Sequence, residues 1–169
     1  MLRLRCTAKV LKKLGVEPDE SAEIESEDSL LGGWYINTFT VERRNVFIFV
    51  NEKTLLSFVV FGIKKSDIRR LPEILLRGLD QLLAREGFDV DEVVRVLNDY
   101  NSYRFTKTKS RKILGHMNDF VNLYQYYILY DGGLENADIG EVIARINRIP
   151  QKNPAWTTPI EMLGLLIRG

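Results

Sequence analysis

The sequence predicts an α+β fold: an N-terminal antiparallel sheet of three to four strands packed against about five C-terminal helices. Three observations carry this. Apolar residues follow a period of two between Trp34 and Phe61 and recur at helical spacing beyond Ser66. No repeat, low-complexity tract or linker breaks the 169 residues. One domain over 1–169 follows, with 1–65 mostly strand plus one short helix and 66–169 helical.

In order along the chain, Leu2 and Leu4 alternate with Arg3 and Arg5, a short strand with one buried face. Thr7 is placed to cap a helix through Leu14, and Gly15 stands where a left-handed residue ends one. Residues 17–28 hold seven carboxylates in twelve positions and no base, the pattern of a solvated loop or of an acidic surface for a basic partner. Trp34–Val41, Val46–Val50 and Leu55–Phe61 are β-branched and aromatic. The short connectors between them, ERRN and NEKT, make them an antiparallel meander with one covered face.

Leu71, Ile74, Leu75, Leu79, Leu82 and Leu83 then define a helix with Pro72 in its first turn and Gly87 beyond its end. A second helix runs from Val90 to Tyr100, capped by Asp89 or Asp91. A third runs from Ser110 to Tyr130 and stops at Asp131-Gly132-Gly133. A fourth spans Ala137–Ile149 before Pro150, and the last opens at Thr158-Pro159-Ile160-Glu161 in capping-box register.

Composition narrows the function classes. At 45% hydrophobic and 28% charged the chain is not of disordered type, and folding at this length buries about 70% of its surface. Twenty-four basic and 23 acidic side chains give a net charge of +1, so no global field marks a nucleic-acid or membrane binder. One cysteine, Cys6, excludes an intramolecular disulfide and suits a reducing cytosol. One histidine, His116, with that cysteine excludes zinc sites of three or four Cys/His ligands; oxygen-only metal sites stay open, and no particular metal or cofactor is expected. No apolar run has the length of a signal peptide core or a membrane span, which leads to a cytoplasmic expectation and no membrane partner.

The most informative stretch is Arg104-Phe-Thr-Lys-Thr-Lys-Ser-Arg-Lys112, with five cations, three hydroxyls and no carboxylate. It runs into the N-terminus of the third helix. Cationic side chains, hydroxyls and unpaired first-turn N–H groups all bind anions, so Arg104, Lys107, Lys109, Ser110, Arg111 and Lys112 are the candidate anion-binding residues. The competing reading is a solvated loop lying against the acidic 17–28 segment. Arg3, Arg5, Lys9, Lys12 and Lys13 form a second basic region that extends such a surface if the fold brings the two together.

On the third helix, Ile113, Met117, Phe120, Val121, Tyr124 and Ile128 form an apolar arc, and Arg111, Asn118, Asn122 and Gln125 lie opposite. His116 and Asp119, at i and i+3, sit at the arc's edge, where an aspartate orients a histidine for general base work; no adjacent nucleophile accompanies them. Trp34, Tyr35 and Phe39 are the aromatics for base stacking, but Trp34 and Tyr35 fall on opposite faces of a strand, which favours core burial. Asn51 and Glu52 are turn residues. There is no P-loop, GxGxxG, GxSxG or HExxH.

Three stretches, Trp34-Tyr35-Ile36-Asn37, Phe49-Val50-Asn51-Glu52-Lys53-Thr54-Leu55 and Ser110–Phe120 with its R-x-x-L-G-x-M-N-D-F block, join the opening LRLRCTAK. Together they resemble a family of small bacterial proteins catalogued only as a domain of unknown function. The resemblance covers almost the whole chain. It implies a prokaryotic, cytoplasmic single domain with a recurring feature at 110–120, and it transfers no catalytic residue. The tail, Asn147–Glu161, is similar to the end of some transposase catalytic domains, but a helix stop and a capping box account for its residues.

Three functions compete. The first is a non-enzymatic module whose 104–112 segment engages nucleic acid or an acidic protein; five phosphate contacts give a log–log salt slope of about −4.5 on duplex DNA. The second is a metal-independent phosphodiesterase in which Arg111 and Lys112 stabilise phosphate charge and His116, oriented by Asp119, moves protons. The third is a regulatory or antitoxin-like partner protein using the acidic 17–28 segment.

Overall fold

Strands Leu2–Cys6 (β1), Trp34–Val41 (β2), Arg44–Asn51 (β3), Ser57–Phe61 (β4) and Tyr103–Lys107 (β5) form one sheet in the order β4-β3-β2-β1-β5. The helices are Ala8–Leu14 (α1), Leu71–Arg85 (α2), Val90–Asn98 (α3), Arg111–Tyr130 (α4), Ile139–Ile146 (α5) and Pro159–Arg168 (α6). Short 3-10 turns occupy Glu20–Glu23 and Lys65–Arg70. These elements come from a computed structural model that describes residues 1–23, 29–152 and 157–169. Part of the acidic segment, 24–28, therefore lies outside the described residues, as do 153–156 in the tail.

The α+β class stands, with the sheet fuller than the sequence patterns suggest. β2, β3 and β4 are the expected antiparallel meander. β1, however, pairs in parallel with β2 on one side and with β5 on the other. Tyr103–Lys107 is thus a strand inside the stretch expected to be helix and basic loop. Its Phe105 packs toward the core while Arg104 and Thr106 face the other way, the alternation of a strand. That pairing gives β1 a partner for its second row of backbone hydrogen bonds, and β1 is buried along its whole length.

Both faces of the sheet are covered, not one. On one face Leu2, Leu4, Trp34, Ile36, Phe49 and Phe58 meet α1, α2, α3 and α6. On the other, Tyr35, Ile48, Val50 and Val59 meet Met117, Phe120, Tyr124 and Ile128 of α4, and Val142 and Ile146 of α5. The sequence carries the reason: WYI and VFIFV are apolar at consecutive positions, so successive side chains bury on both sides. Trp34 and Tyr35 fall on opposite faces as the period requires. Phe49 stacks on Phe58 with ring centroids 4.9 Å apart, and Trp34 meets Phe58 edge-on at 5.6 Å. Gly78 of α2 lies over that Phe58 ring, where an added methyl group would collide.

The turns explain where elements end. Glu42 and Arg43 both have positive φ (51° and 66°), matching the twist of a two-residue hairpin between β2 and β3. The Glu42 carboxylate accepts the Leu134 N–H (3.3 Å), tying this turn to the loop after α4. β4 starts at Ser57 and not Leu55 because Leu55 is left-handed (φ 61°). The caps follow the sequence: Asp89 and Thr158 form full capping boxes with Glu92 and Glu161, and Ser110 and Asp138 accept first-turn N–H groups. Thr7 precedes α1 without a side-chain cap, because its hydroxyl donates instead to Asn37 Oδ1 (2.9 Å).

Two buried amides hold the layers in register. Asn51, wholly buried, donates through Nδ2 to Leu31 O (2.8 Å) and Gly33 O (3.3 Å). Its Oδ1 accepts from Lys53 N, Thr54 N and Thr54 Oγ1 at 3.0–3.1 Å. Asn147, just past α5, brackets Ser57 by accepting its N–H (2.9 Å) and donating to its carbonyl (2.7 Å), as a strand residue would. Beside Asn51, Glu52 accepts from Arg5 Nε (2.8 Å) and Gly33 N (2.7 Å). The residues that carry the resemblance in the meander are thus the ones that lock the turn.

Candidate functional site

The basic segment divides between an edge strand and a helix start. Arg104 and Lys107 lie on β5, whose register sets Arg3 opposite Arg104, Arg5 opposite Thr106 and Cys6 opposite Lys107. The N-terminal strand and the basic segment are therefore neighbours. Arg3 and Arg5 nevertheless do not extend an exposed surface: both are buried, with Arg3 Nε donating to Ala22 O (2.9 Å) and Arg5 bound to Glu52.

The outer edge of β5 meets the start of the acidic segment. Asp19 N–H donates to Phe105 O (2.7 Å), Arg104 reaches Asp19 Oδ2 (3.4 Å) and Lys107 reaches Glu20 Oε1 (3.3 Å). Asp19 is held below the usual carboxylate range, first by the Ser21 hydroxyl that donates to it (2.6 Å) and in smaller part by Arg104. Lys109 is likewise engaged. The reading in which basic and acidic segments lie against one another therefore holds for Arg104 and Lys107.

Arg111 and Lys112 differ. They occupy the exposed first turn of the 20-residue α4, which contains no acidic residue, and among the described residues neither makes an ion pair or side-chain hydrogen bond. Ser110 caps that turn by accepting the Ile113 N–H (3.2 Å), while its own N–H donates to Tyr35 Oη (2.9 Å). Thr106 Oγ1, buried and without a hydrogen-bond partner, lies in a hollow of about 140 Å³ lined also by Lys107, Thr108, Lys109, Asp19 and Glu20. That lining mixes both signs of charge. It leaves Arg111 and Lys112, rather than Arg104 and Lys107, as the part of the segment open to an external anion.

His116 and Asp119 are on α4, half-buried and exposed respectively, and no hydrogen bond or ion pair joins them. The His116 ring lies 6.3 Å from the Phe120 ring, a packing contact. Cys6 is on the opposite face of the sheet among α1 and α2 residues, and burial pushes its thiol up to about 12, so no thiolate is available near His116. Among the described residues no three His, Cys, Asp or Glu side chains gather as a metal-binding set, and no helix is long and apolar enough to cross a membrane.

The partners Asp19 and Glu20 were visible in the sequence only as part of an acidic run; complementary charge was the available signal for their pairing. The buried roles of Arg3 and Arg5 had no local signal.

The chain matches, over residues 3–162, the family model described as a domain of unknown function (DUF6933), and it is a member of that family. A search among curated proteins finds no match to it.

Proposed function

We propose that the chain is a non-enzymatic binding module for a polyanion, nucleic acid in the first place. One observation carries the reading: on the exposed first turn of a long helix, Arg111 and Lys112 have no ion-pair partner among the described residues. Cations at a helix N-terminus oppose its dipole at about 0.3–1 kcal/mol each, and a bound anion would reverse the sign of that term. Within the 104–112 segment, the ion pairs of Arg104 and Lys107 with Asp19 and Glu20 narrow the contact to Arg111 and Lys112. The unjoined His116 and Asp119 support binding over cleavage.

The test is fluorescence anisotropy of labelled duplex DNA and single-stranded RNA in EDTA, from 50 to 200 mM salt, with a gel of the same samples. Expected is salt-sensitive binding without cleavage, and a slope that loses about 1.8 on duplex DNA in R111Q/K112Q. Absence of binding at 50 mM salt refutes the reading. Cleavage that disappears in His116→Ala would replace it with the phosphodiesterase.

A further inference from the structure

We infer that a second surface, a lysine-walled groove between α1 and the segment after β4, is the principal seat of the nucleic acid and takes the phosphate backbone of a duplex; this rests on the proposed function. Lys9, Lys12 and Lys13 project from α1 at i, i+3 and i+4, while Val10 and Leu14 on its other side enter the core. Lys64 and Lys65, where the chain leaves β4 for the 3-10 turn, form the facing wall. The groove encloses about 490 Å³, and its floor is Phe47, Ile63 and Ile68.

Three features point to phosphate. All five lysines are exposed, and among the described residues none of their ammonium groups makes an ion pair or hydrogen bond. Among the described residues no carboxylate lines the groove. In a chain of 24 bases and 23 acids this is segregation, because the acids are spent elsewhere: Glu52, Glu86, Glu92 and Glu141 each pair with an arginine. Five like charges around one concavity repel one another and focus a positive potential into it, which a polyanion neutralises. Lysine supplies a point charge suited to phosphate without base selection.

The floor decides which polyanion. Phe47 is 3% exposed and part of the core, and Ile63 and Ile68 are half-buried beneath the lysine rim. No aromatic face is presented for stacking unpaired bases, which disfavours a single strand, and no apolar side chain protrudes to enter a lipid layer. A duplex, with its bases stacked inside and phosphates outside, asks only for the charges.

The experiment titrates a labelled 20-base-pair duplex, the matching single strand and phosphatidylserine vesicles with the wild-type chain, K9Q/K12Q/K13Q/K64Q/K65Q and R111Q/K112Q. The two-site charge reversal K12E/K65E is a second groove variant. Thermal midpoints confirm folding; every substituted side chain is exposed. Five phosphate contacts contribute about −4.5 to the duplex salt slope, which by itself is about a 500-fold loss of affinity between 50 and 200 mM salt. The five-lysine variant should lose that contribution, and K12E/K65E should weaken duplex binding at least tenfold. If the groove variants bind duplex as the wild type does while R111Q/K112Q does not, the groove assignment falls and the proposed function stands. If the wild-type chain binds neither duplex nor single strand at 50 mM salt, both fall. Groove-dependent binding of vesicles or of the single strand in preference to the duplex overturns the occupant.

Discussion

Asn51→Asp replaces one atom group in a fully buried side chain and should unfold much of what that amide organises. In the wild-type protein Nδ2 donates to the Leu31 and Gly33 carbonyls, while Oδ1 accepts three bonds from Lys53 and Thr54. The aspartate keeps the three accepted bonds and makes them charge-assisted. It loses both donated bonds and turns a carboxylate oxygen toward two carbonyls. Gly33 O keeps the Glu52 N–H (3.1 Å), so of the two carbonyls Leu31 O is the one left unsatisfied, at about 1–3 kcal/mol; the buried carboxylate oxygen facing it adds its own desolvation cost, for a loss of about 3 kcal/mol after the strengthened bonds are allowed for. With a urea m-value of about 2 kcal/mol/M, the unfolding midpoint at pH 7 should fall by about 1.5 M.

The pH dependence has a definite sign. Burial and the two carbonyls raise the folded-state pKa of the new carboxyl above its ordinary value of about 3.9. Between those two values the folded state binds more protons than the unfolded one, so the variant loses stability as pH rises through the window. Its penalty is full above the folded pKa and absent below about pH 4, where the protonated oxygen can again donate to Leu31 O. Urea unfolding of wild type and variant from pH 4.5 to 7.5 measures this. A difference below about 1 kcal/mol at pH 7, or one independent of pH, would refute the reasoning that the two donated bonds carry the site.

Other predictions concern single features. Gly115, in the interior of α4 with open space where a Cβ would stand, should stabilise the protein by about 0.5–1 kcal/mol when changed to alanine; a loss seen by urea unfolding contradicts the geometry. D19N/E20Q frees Arg104 and Lys107, exposed pairs of little stabilising weight. The thermal midpoint should stay within about 2 °C, while duplex binding gains up to about 1.8 in salt slope; an unchanged slope shows that these cations do not reach the ligand. Because burial pushes the Cys6 thiol up to about 12, native protein should resist iodoacetamide at pH 8 and react on unfolding; labelling at the rate of a free thiol refutes its burial.

The parts of the fold legible in the sequence are those written by local rules. The meander follows from period two and short polar connectors, and α2, α4 and α6 from helical spacing with Pro72, Ser110 and Thr158 at their starts. What was hidden depends on distant residues. Tyr103–Lys107 has too few apolar positions to announce a strand and becomes one because β1, about a hundred residues earlier, needs a partner. Arg3 and Arg5 alternate like solvent-facing residues, yet their acceptors are Ala22 and Glu52. Of the candidate site, the charge of 104–112 was evident, but not that Asp19 and Glu20 already occupy half of it. Lys64 and Lys65 gain meaning only when α1 lies across from them.

The place of β1 in the sheet has a consequence for synthesis. Among the described strands β1 leaves the ribosome before the other four, and its outer neighbour β5 leaves after them. At about 5–20 residues per second, the hundred residues between them keep one edge of β1 open for about 5–20 s. The meander and α2–α3 need only near neighbours and can assemble in that interval, whereas the parallel β1–β5 ladder waits for residue 103. Chains halted before that point would present a bare strand edge carrying Arg3 and Arg5, and those charges would discourage adhesion to other nascent chains until β5 arrives.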